Sequence, residues 1–399
     1  MVTTMNSNNK RTTKLLWLSI GNLIASIGTS FMWPLTTVYM HNYLHESLTV
    51  AGIVLFFNSL SMILGNYAGG YIYDHWKVKP WLLASIGLST LAVMILIFQN
   101  GWPAYPILLV IDSFGGGVTN TLLNSLATSI EGHTSRYIYN MLYFMMNIGV
   151  VVGTMCVGFV VDISIDLIFV INTVMFILFL VIAIFFYFEP QKKAVHHHGK
   201  ASKGPKTTGS ALHLIWGVLL IYLVIQIGYS QWQSNLSVYM GKLGIPLAKY
   251  SLLWTINGVM IVVSQPIVSW VDEHFNVRVI RKLYAGAAFF ILAFASLIFA
   301  KSYAAFVISM MIATIAEIYT FPTISAEVDN LSTVAEKGKY QGNVSIAGSA
   351  GRAIGPLFGG LMIDKFSYEA LFGTMAGAVL VMAVILILLA RLNYRTDKE

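Results

Sequence analysis

Two stretches that repeat one another decide the fold of this chain. Residues 27–40 read IGTSFMWPLTTVYM and residues 227–240 read IGYSQWQSNLSVYM, with six identities at a constant offset of 200. Self-similarity at a fixed offset indicates a duplicated architecture, so we expect the chain to consist of two similar halves. The later part of each half repeats as well. The corresponding residues are Gly149, Gly153, Gly158 and Asp162 with Gly351, Gly355, Gly360 and Asp364.

The composition of the chain is that of a protein surrounded by lipid. Hydrophobic residues make up 57% of its 399 positions and charged residues 10%, whereas an average soluble domain is about 25% charged. Strict alternation of apolar and polar residues is absent, which favours helices over a β-barrel. A helix needs about 20 apolar residues to cross the hydrocarbon core. The chain contains twelve such runs, namely 14–40, 48–73, 81–99, 104–130, 137–162, 167–188, 212–240, 248–271, 279–300, 303–328, 339–363 and 369–391.

The basic residues are distributed unevenly between the predicted loops. If the amino terminus is inside, 19 of the 24 Lys and Arg residues fall on the cytoplasmic side and four fall in outer loops. Cytoplasmic loops of membrane proteins carry such an excess. We therefore expect a multi-pass protein of the cell membrane with both termini in the cytoplasm. The same bias, together with attraction to anionic lipid, accounts for the net charge of +7 without a nucleic-acid partner.

A polar segment separates the two halves. We predict an amino-terminal six-helix half over residues 1–188, a cytoplasmic linker over 189–211 and a carboxy-terminal six-helix half over 212–399. The linker is rich in Lys, Gly, Ser and Thr, a composition typical of flexible connections. Its run His196-His197-His198 lacks a Cys or a carboxylate to complete a metal site. We therefore expect neither a metal nor another cofactor.

The end of the second predicted span carries a charged motif. Residues 70–80 read GYIYDHWKVKP. This segment resembles the loop motif of the major facilitator superfamily, G-x-x-x-D-[RK]-x-G-[RK]-[RK], in which Gly70, Asp74 and Lys79 match in kind while three other positions differ. The resemblance implies an all-α membrane protein of twelve transmembrane helices in two pseudo-symmetric six-helix halves. It also implies a gating role for the three matching residues, with Asp272 as the counterpart of Asp74 in the second half.

Span eleven carries a second motif of the same superfamily. It reads Gly351-x-x-x-Gly355-Pro356, which resembles the glycine–proline motif that drug exporters of the superfamily carry in span five. Span five of this chain has Thr154 in place of the proline, so the inference to antiport is weakened. Close helix packing explains glycines spaced by one helical turn equally well.

Three ionisable residues lie well inside predicted spans: Asp112, Glu317 and Arg352. Each costs roughly 2.5 to 3.5 kcal/mol at a helix centre, so a functional role is the default interpretation. The segment from Glu317 to Pro322 resembles span ten of proton-coupled multidrug exporters of the LmrP type, which implies a proton-coupling role for Glu317. Asp112 and Arg352 are further coupling candidates. The alternative is a static pair between Arg352 and one of the two acids.

Spans one and seven carry polar and aromatic residues at the depth of the bilayer midplane. Aromatic faces with few fixed hydrogen bonds suit flat lipophilic cations. Tyr, Gln and Trp side chains can equally hydrogen-bond a sugar. The candidate substrate-binding residues are Asn22, Trp33, Gln226, Tyr229, Gln231, Trp232 and Asn235.

Together these observations predict a transporter and not an enzyme. The resemblance to the drug:proton antiporter branch implies export of lipophilic, cationic compounds by alternating access, driven by protons. No phosphate-binding loop of the form G-x-x-x-x-G-K-[ST] occurs, so ATP is not the expected fuel. The expected partners are a small-molecule substrate, protons and the lipid bilayer, and the expected state is a monomer. Two alternatives stay open: an exporter or facilitator of a sugar or other neutral metabolite, and a transporter-like protein that moves lipid or senses a ligand.

Overall fold

The computed structural model contains only helices as regular elements in the residues that it describes. These are residues 2–130, 135–190, 207, 209–275, 278–333 and 336–396, and some side chains within them, including those of Trp33 and Asp272, lie outside the description. The helices are α1 (Val2–Val38), α2 (Leu48–His75), α3 (Val78–Leu96), α4 (Ala104–Thr128), α5 (Ser135–Ile163), α6 (Ile165–Phe186), α7 (Ser210–Gln233), α8 (Asn235–Lys242), α9 (Leu247–Phe275), α10 (Val279–Ile298), α11 (Tyr303–Leu331), α12 (Lys337–Lys365) and α13 (Tyr368–Thr396).

The sequence predicts twelve crossings, and the structure provides helices for most of them. Within the described residues, eleven helices are long and apolar enough to cross a membrane, and α5 contains a shorter apolar stretch, Met141–Val157. The sequence predicts one helix over residues 212–240, but the structure divides this crossing into α7 and α8. The division falls at Ser234, whose φ of −110° and ψ of −72° depart from ideal helix geometry. The predicted all-α membrane fold is confirmed.

The chain forms two compact units. Unit 1 comprises Met1–Glu46, Val54–Val195 and Pro246–Leu252, and unit 2 comprises Ser47–Ile53, His196–Ile245 and Leu253–Glu399. Residues 191–206, which form most of the predicted linker, lie outside the described part of the chain. The predicted domain boundaries therefore stay a prediction.

Glycines hold α1 against α5 in unit 1. A Cβ atom placed on Gly149 would lie 2.7 Å from the carbonyl oxygen of Leu23, and one on Gly153 would lie 2.8 Å from that of Ile27. Both separations are shorter than van der Waals contact, so a side chain fits at neither position. Because apolar helix faces gain little by leaving lipid, this close backbone approach is what holds the two helices together.

Unit 2 repeats this packing between α7 and α12. A Cβ on Gly351 would lie 2.7 Å from the carbonyl oxygen of Leu223, and one on Gly355 would lie 2.8 Å from that of Ile227. The distances equal those in unit 1 at positions displaced by 200 residues in the first helix and 202 in the second. The sequence repeat is therefore a structural repeat.

The seam between α3 and α4 corresponds to the seam between α10 and α11. In unit 1 the hydroxyl oxygens of Ser85 and Thr119 lie 2.8 Å apart. The residues displaced by 201 are Gly286 and Thr320, and the hydroxyl of Thr320 is the atom nearest to a Cβ placed on Gly286. The shared contact aligns α4 with α11 at an offset of 201, which allows the two units to be compared residue by residue.

In unit 1, the end of span one that is predicted to be outer is tied to two later segments. After α1 the chain makes one π-helical turn, Tyr39–Tyr43. The Tyr39 hydroxyl donates to the carbonyl oxygen of Asn100 at 3.2 Å, and the side-chain amide of Asn100 donates to a carboxylate oxygen of Asp166 at 3.0 Å. The uncharged Asn100 thus links Tyr39 to Asp166.

The equivalent clasp in unit 2 is charged. Lys301 donates to the Tyr239 hydroxyl of α8 at 2.8 Å and forms an ion pair of 2.5 Å with Glu369, at the start of α13. The hydrogen bond to the Glu369 carboxylate, followed by the one to the Tyr239 hydroxyl, raises the pKa of Lys301 above its ordinary value. The two units therefore share a fold, but the residue that links these segments is neutral in unit 1 and charged in unit 2.

Candidate functional site

The carboxylate of Glu317, in the middle of α11, accepts two hydrogen bonds within unit 2. The Tyr229 hydroxyl of α7 donates to its Oε2 atom at 2.8 Å, and the side-chain amide of Asn257 of α9 donates to the same atom at 3.0 Å. Asn257 also donates to the Thr314 hydroxyl at 3.0 Å. Three helices thus fix Oε2, whereas no hydrogen bond to the second oxygen, Oε1, is present within the described residues.

Local features of α11 place this carboxylate. The hydroxyl of Ser302 caps the helix by accepting a hydrogen bond from the backbone N–H of Ala305 at 3.4 Å. Pro322 lies inside the helix and has no N–H to donate to the carbonyl of Ile318. The backbone is therefore weakened in the turn that follows Glu317, where local bending is easiest.

Aromatic rings pack against Tyr229, the residue whose hydroxyl donates to Glu317. The Tyr229 ring meets Phe321 edge-on at a centroid distance of 5.4 Å, Trp254 at 6.1 Å and Phe290 at 6.4 Å. These rings come from α7, α9, α10 and α11. Edge-to-face packing at such distances is favourable. The site therefore combines one carboxylate with a group of aromatic rings around its tyrosine donor.

Gln226 lies one turn before Tyr229 on α7. Its side-chain nitrogen donates to the Tyr222 hydroxyl at 3.0 Å. The residue is 2% exposed, and its side-chain oxygen has no hydrogen-bond partner in the described part of the chain. The Tyr222 ring in turn meets Phe321 at 5.9 Å. Gln226 is thus connected to the aromatic group and retains one free acceptor.

The other α7 and α8 candidates form a buried packing network. The side-chain nitrogen of Gln231 donates to the carbonyl oxygens of Gly355 at 2.7 Å and Ile227 at 2.8 Å. Asn235 donates to the side-chain oxygen of Gln231 at 2.7 Å, and Trp232 is 1% exposed. These contacts tie α7 and α8 to α12. A substrate-binding role for Gln231, Trp232 and Asn235 stays a prediction.

In unit 1 the described candidate on α1 is Asn22. The side-chain amide of Asn22 donates to the carbonyl oxygen of Leu142 at 2.8 Å, which ties α1 to α5. The side chain of Trp33 lies outside the described residues. Their substrate-binding roles stay predictions.

Asp112 and Arg352 belong to different units. Asp112, on α4, is partly exposed, and its backbone carbonyl accepts a hydrogen bond of 3.1 Å from Ser89 of α3. Arg352, on α12, is exposed and donates to the Ser349 hydroxyl at 3.3 Å. Coupling by either residue, and the alternative of a static pair, stay predictions.

Among the gating candidates, Lys79 has the clearest contacts. Its Nζ atom donates to the carbonyl oxygen of Ile184 at 3.0 Å, and its backbone N–H donates to the carboxylate of Glu189 at 2.9 Å. Glu189 also accepts from the N–H of Val78 at 2.7 Å, so it caps the start of α3. Asp74 is exposed. The side chain of Asp272 lies outside the described residues.

Sequence reasoning did not identify several members of the Glu317 site. Asn257 is an amide inside an apolar span, which is the same signal that singled out Asn22. Trp254, Phe290 and Phe321 gave no comparable signal, because the chain contains 23 phenylalanines and 9 tryptophans. No group of three metal-ligating side chains occurs within the described ranges, and His196, His197 and His198 lie outside them.

Eleven helices of membrane-spanning length and one shorter apolar stretch within the described residues, arranged in two similar units with an acid held inside the second, are the features of a duplicated helical membrane transporter. The sequence model of the Major Facilitator Superfamily matches residues 18–332 and 277–399. The chain belongs to this superfamily. It is similar to YttB of Bacillus subtilis (strain 168), described as an uncharacterized MFS-type transporter, with 35% identity over 363 residues that cover 89% of each chain.

The chain is also similar to a further relative and to two solved structures. The MFS-type transporter YqjV of the same organism is 25% identical, over 87% of this chain and 85% of that one. The structure is similar to that of the POT family transporter PepTSo, with a TM-score of 0.76, 13% identity and coverage of 96% and 98% of the two chains. The nucleoside transporter NupG gives a TM-score of 0.76, 13% identity and coverage of 94% and 98%. At these identities the two structures establish the fold alone.

Proposed function

We propose that the protein is a proton-coupled antiporter of the drug:proton branch that exports lipophilic, cationic compounds from the cell. The observation that carries this proposal is the Glu317 site of unit 2. There, hydrogen bonds from Tyr229 and Asn257 occupy Oε2 of the carboxylate, while Oε1 accepts no hydrogen bond from a described residue. The rings of Trp254 and Phe321 pack against the Tyr229 donor.

The geometry gives Glu317 two alternative ligands. With Oε2 bonded, an ionised Glu317 can bind either a proton or a cationic substrate at Oε1, but not both. Neighbouring ring faces of Trp254 and Phe321 would add cation–π attraction of about 0.5 to 2 kcal/mol. Competition between a proton and a cation for one oxygen is sufficient for antiport, because each ligand promotes release of the other.

The charge balance of this exchange determines which part of the proton gradient can drive it. One monovalent cation leaving against one entering proton moves no net charge across the membrane. Moving one unpaired charge would be worth about 2.3 kcal/mol per 100 mV. Export of a monovalent cation should therefore follow the pH gradient and respond little to a membrane potential imposed with valinomycin.

The remaining candidates take supporting roles in this proposal. Asp112 would attract the cation or receive a proton, with Arg352 as counter-charge. Gly70, Asp74, Lys79 and Asp272 would control the exchange between conformations. Export of one cationic and one neutral substrate by Asp112→Asn tests the first role, since a cation receptor predicts the greater loss for the cation.

The test of the proposed function is transport of a fluorescent cation by purified protein in proteoliposomes with an imposed pH gradient. Glu317→Gln should abolish accumulation against the gradient, because the amide resembles the protonated acid but cannot release a proton. It should leave expression and downhill movement of a neutral substrate measurable. The matched control is Glu46→Gln, which neutralises a carboxylate outside the predicted spans. Unchanged accumulation in Glu317→Gln would refute the proposal.

A second candidate function is transport of a neutral, hydrogen-bonding metabolite. One observation favours it: α4 presents amides on an open face, where Asn124 donates to the side chain of Asn120 at 3.4 Å. The free acceptor of Gln226 adds a further polar group. Competition of a panel of sugars and nucleosides against the fluorescent cation separates the two candidates, since only the second predicts strong competition.

A further inference from the structure

Unit 2 contains a second buried carboxylate, Glu327, ten residues after Glu317 on α11. The residue is 3% exposed, and no hydrogen bond or ion pair joins it to another described residue. Asp329, two positions later, is the opposite case: it forms an ion pair of 2.6 Å with Lys337, and its side chain is 44% exposed. A solvated helix end explains Asp329 but does not explain Glu327.

The residue of unit 1 that corresponds to Glu327 shows which kind of side chain helix packing requires at this position. At the offset of 201 that aligns α4 with α11, Glu327 corresponds to Leu126. Leu126 is fully buried and belongs to the main hydrophobic cluster of unit 1. An apolar side chain therefore satisfies this position in the fold. Because burial of an unpaired carboxylate is costly, its presence in unit 2 points to a function, and proton binding is the chemistry of such a group.

Two threonine hydroxyls lie between the carboxylates along α11. Thr320 and Thr323 are 0% and 6% exposed, and the Thr320 hydroxyl oxygen has no hydrogen-bond partner within the described residues. The four positions are spaced by three or four residues, so they follow one side of the helix. At a rise of 1.5 Å per residue, successive groups are separated by about 4.5 to 6 Å along the axis. A bridging water spans such a gap.

We infer that Glu327 is the group through which the transported proton reaches the cytoplasm. A proton leaves the carboxyl group of Glu317, and each threonine hydroxyl accepts one proton as it donates its own. Bridging water carries the proton between successive groups until a carboxylate oxygen of Glu327 receives it. Glu327 releases it to water at the end of α11 that the charge distribution predicts to be cytoplasmic. The hydroxyls are unchanged, and the net result is one proton moved.

This inference rests on the proposed function, since it requires Glu317 to bind the transported proton. The role inferred for Glu327 concerns the rate of proton release. Glu327 determines how fast the proton leaves Glu317 and not whether Glu317 binds it. The matched comparison uses Glu327→Gln, which keeps the shape, and Glu327→Leu, which installs the residue of unit 1. The control is Asp329→Asn, which removes an exposed and paired carboxylate of the same helix.

The experiment is stopped-flow detection, with a pH indicator, of protons released when the fluorescent cation binds to purified protein. Both Glu327 variants should keep the amount of proton released and slow its release at least about tenfold. Asp329→Asn should behave as the wild type. Unchanged rates in both Glu327 variants would overturn the inference, as would loss of the released amount in a variant that still binds the cation. If Glu317→Gln retains the full amount, the proposed function fails instead.

Discussion

Helices α4 and α11 occupy equivalent places in the two units but carry different chemistry. Glu317 of α11 corresponds to Gly116 of α4, and a Cβ placed on Gly116 would meet no atom within 4 Å. Tyr229, the donor to Glu317, corresponds to Thr29, whose hydroxyl donates to the carbonyl of Ala25 in its own helix at 3.1 Å. Unit 1 therefore has open space where unit 2 has a bonded carboxylate.

Asn257, the third member of the site, has an asparagine counterpart in unit 1, but the two side chains make different contacts. Asn257 donates to Glu317 at 3.0 Å. Asn58, its counterpart at an offset of 199, has a buried side-chain oxygen without a partner in the described residues. Because the two units pack alike without sharing the acid, the carboxylate is not required by the fold. The comparison shows that the two units share their helix packing, whereas the buried carboxylate group of Glu317 occurs in unit 2 without a counterpart in unit 1.

The largest effect is expected where the units are alike. Gly153→Leu and Gly355→Leu should both abolish folding, because any side chain would collide with the facing backbone, and even moderate overpacking costs about 1 to 3 kcal/mol. Gly116→Leu, at an open position, should leave a folded protein. Size-exclusion chromatography and thermal unfolding of detergent-solubilised protein measure this. Tolerance of leucine at either packing glycine would contradict the structural repeat.

A smaller effect is expected where the units differ in aromatic content. Phe321 corresponds to Asn120 of unit 1 at the offset of 201. Phe321→Leu should weaken binding of a cationic substrate by about 2- to 30-fold, which is the range for loss of one cation–π contact. Binding of a neutral substrate should change less, and Asn120→Leu should show no such preference. Equal losses for both substrates in Phe321→Leu would remove the cation–π argument.

The smallest effect is expected at the two outer clasps. Lys301 of unit 2 is charged and half-exposed, whereas Asn100 of unit 1 is neutral. Lys301→Met should lower the unfolding temperature by a few degrees at most, and the loss should shrink at high salt because exposed ion pairs are screened. Since the pKa of Lys301 is raised and that of Glu369 is lowered in the folded state, the contribution of the pair should persist at neutral pH. It should be lost in strongly alkaline solution, where Lys301 deprotonates, and in acid, where Glu369 is protonated. Asn100→Leu should show no salt dependence.

The sequence predicts the architecture well because its signals are strong and local. Apolar runs long enough to cross a bilayer give the helices, and the repeated glycines indicate close packing at spans five and eleven. That α1 and α7 are the partners of these spans is shown only by the structure. Glu317 stands out because a charge inside a span is costly. Asn257 is uncharged and gives only the weaker signal of an amide inside an apolar span. Glu327 is hidden by the neighbouring Asp329, which makes the end of α11 resemble a solvated helix terminus.

The direction in which a side chain points is harder to predict than its helix. Gln231 and Asn235 are predicted to lie at midplane depth, yet their amides bond to each other and to the backbone of α12. Helix periodicity gives the face on which a residue lies but not the partner of its side chain, and it does not foresee the break at Ser234. The sequence therefore predicts the span of each residue, whereas the contacts of its side chain require the packed structure.

The central claim is that a proton and a cationic substrate compete for Glu317. Its most direct test is the number of protons released when the fluorescent cation binds to purified protein, measured by calorimetry in buffers of different ionisation enthalpy. The wild type should release close to one proton per bound cation at a pH where Glu317 is protonated, and Glu317→Gln should release none. Equal release by the two proteins would contradict the account.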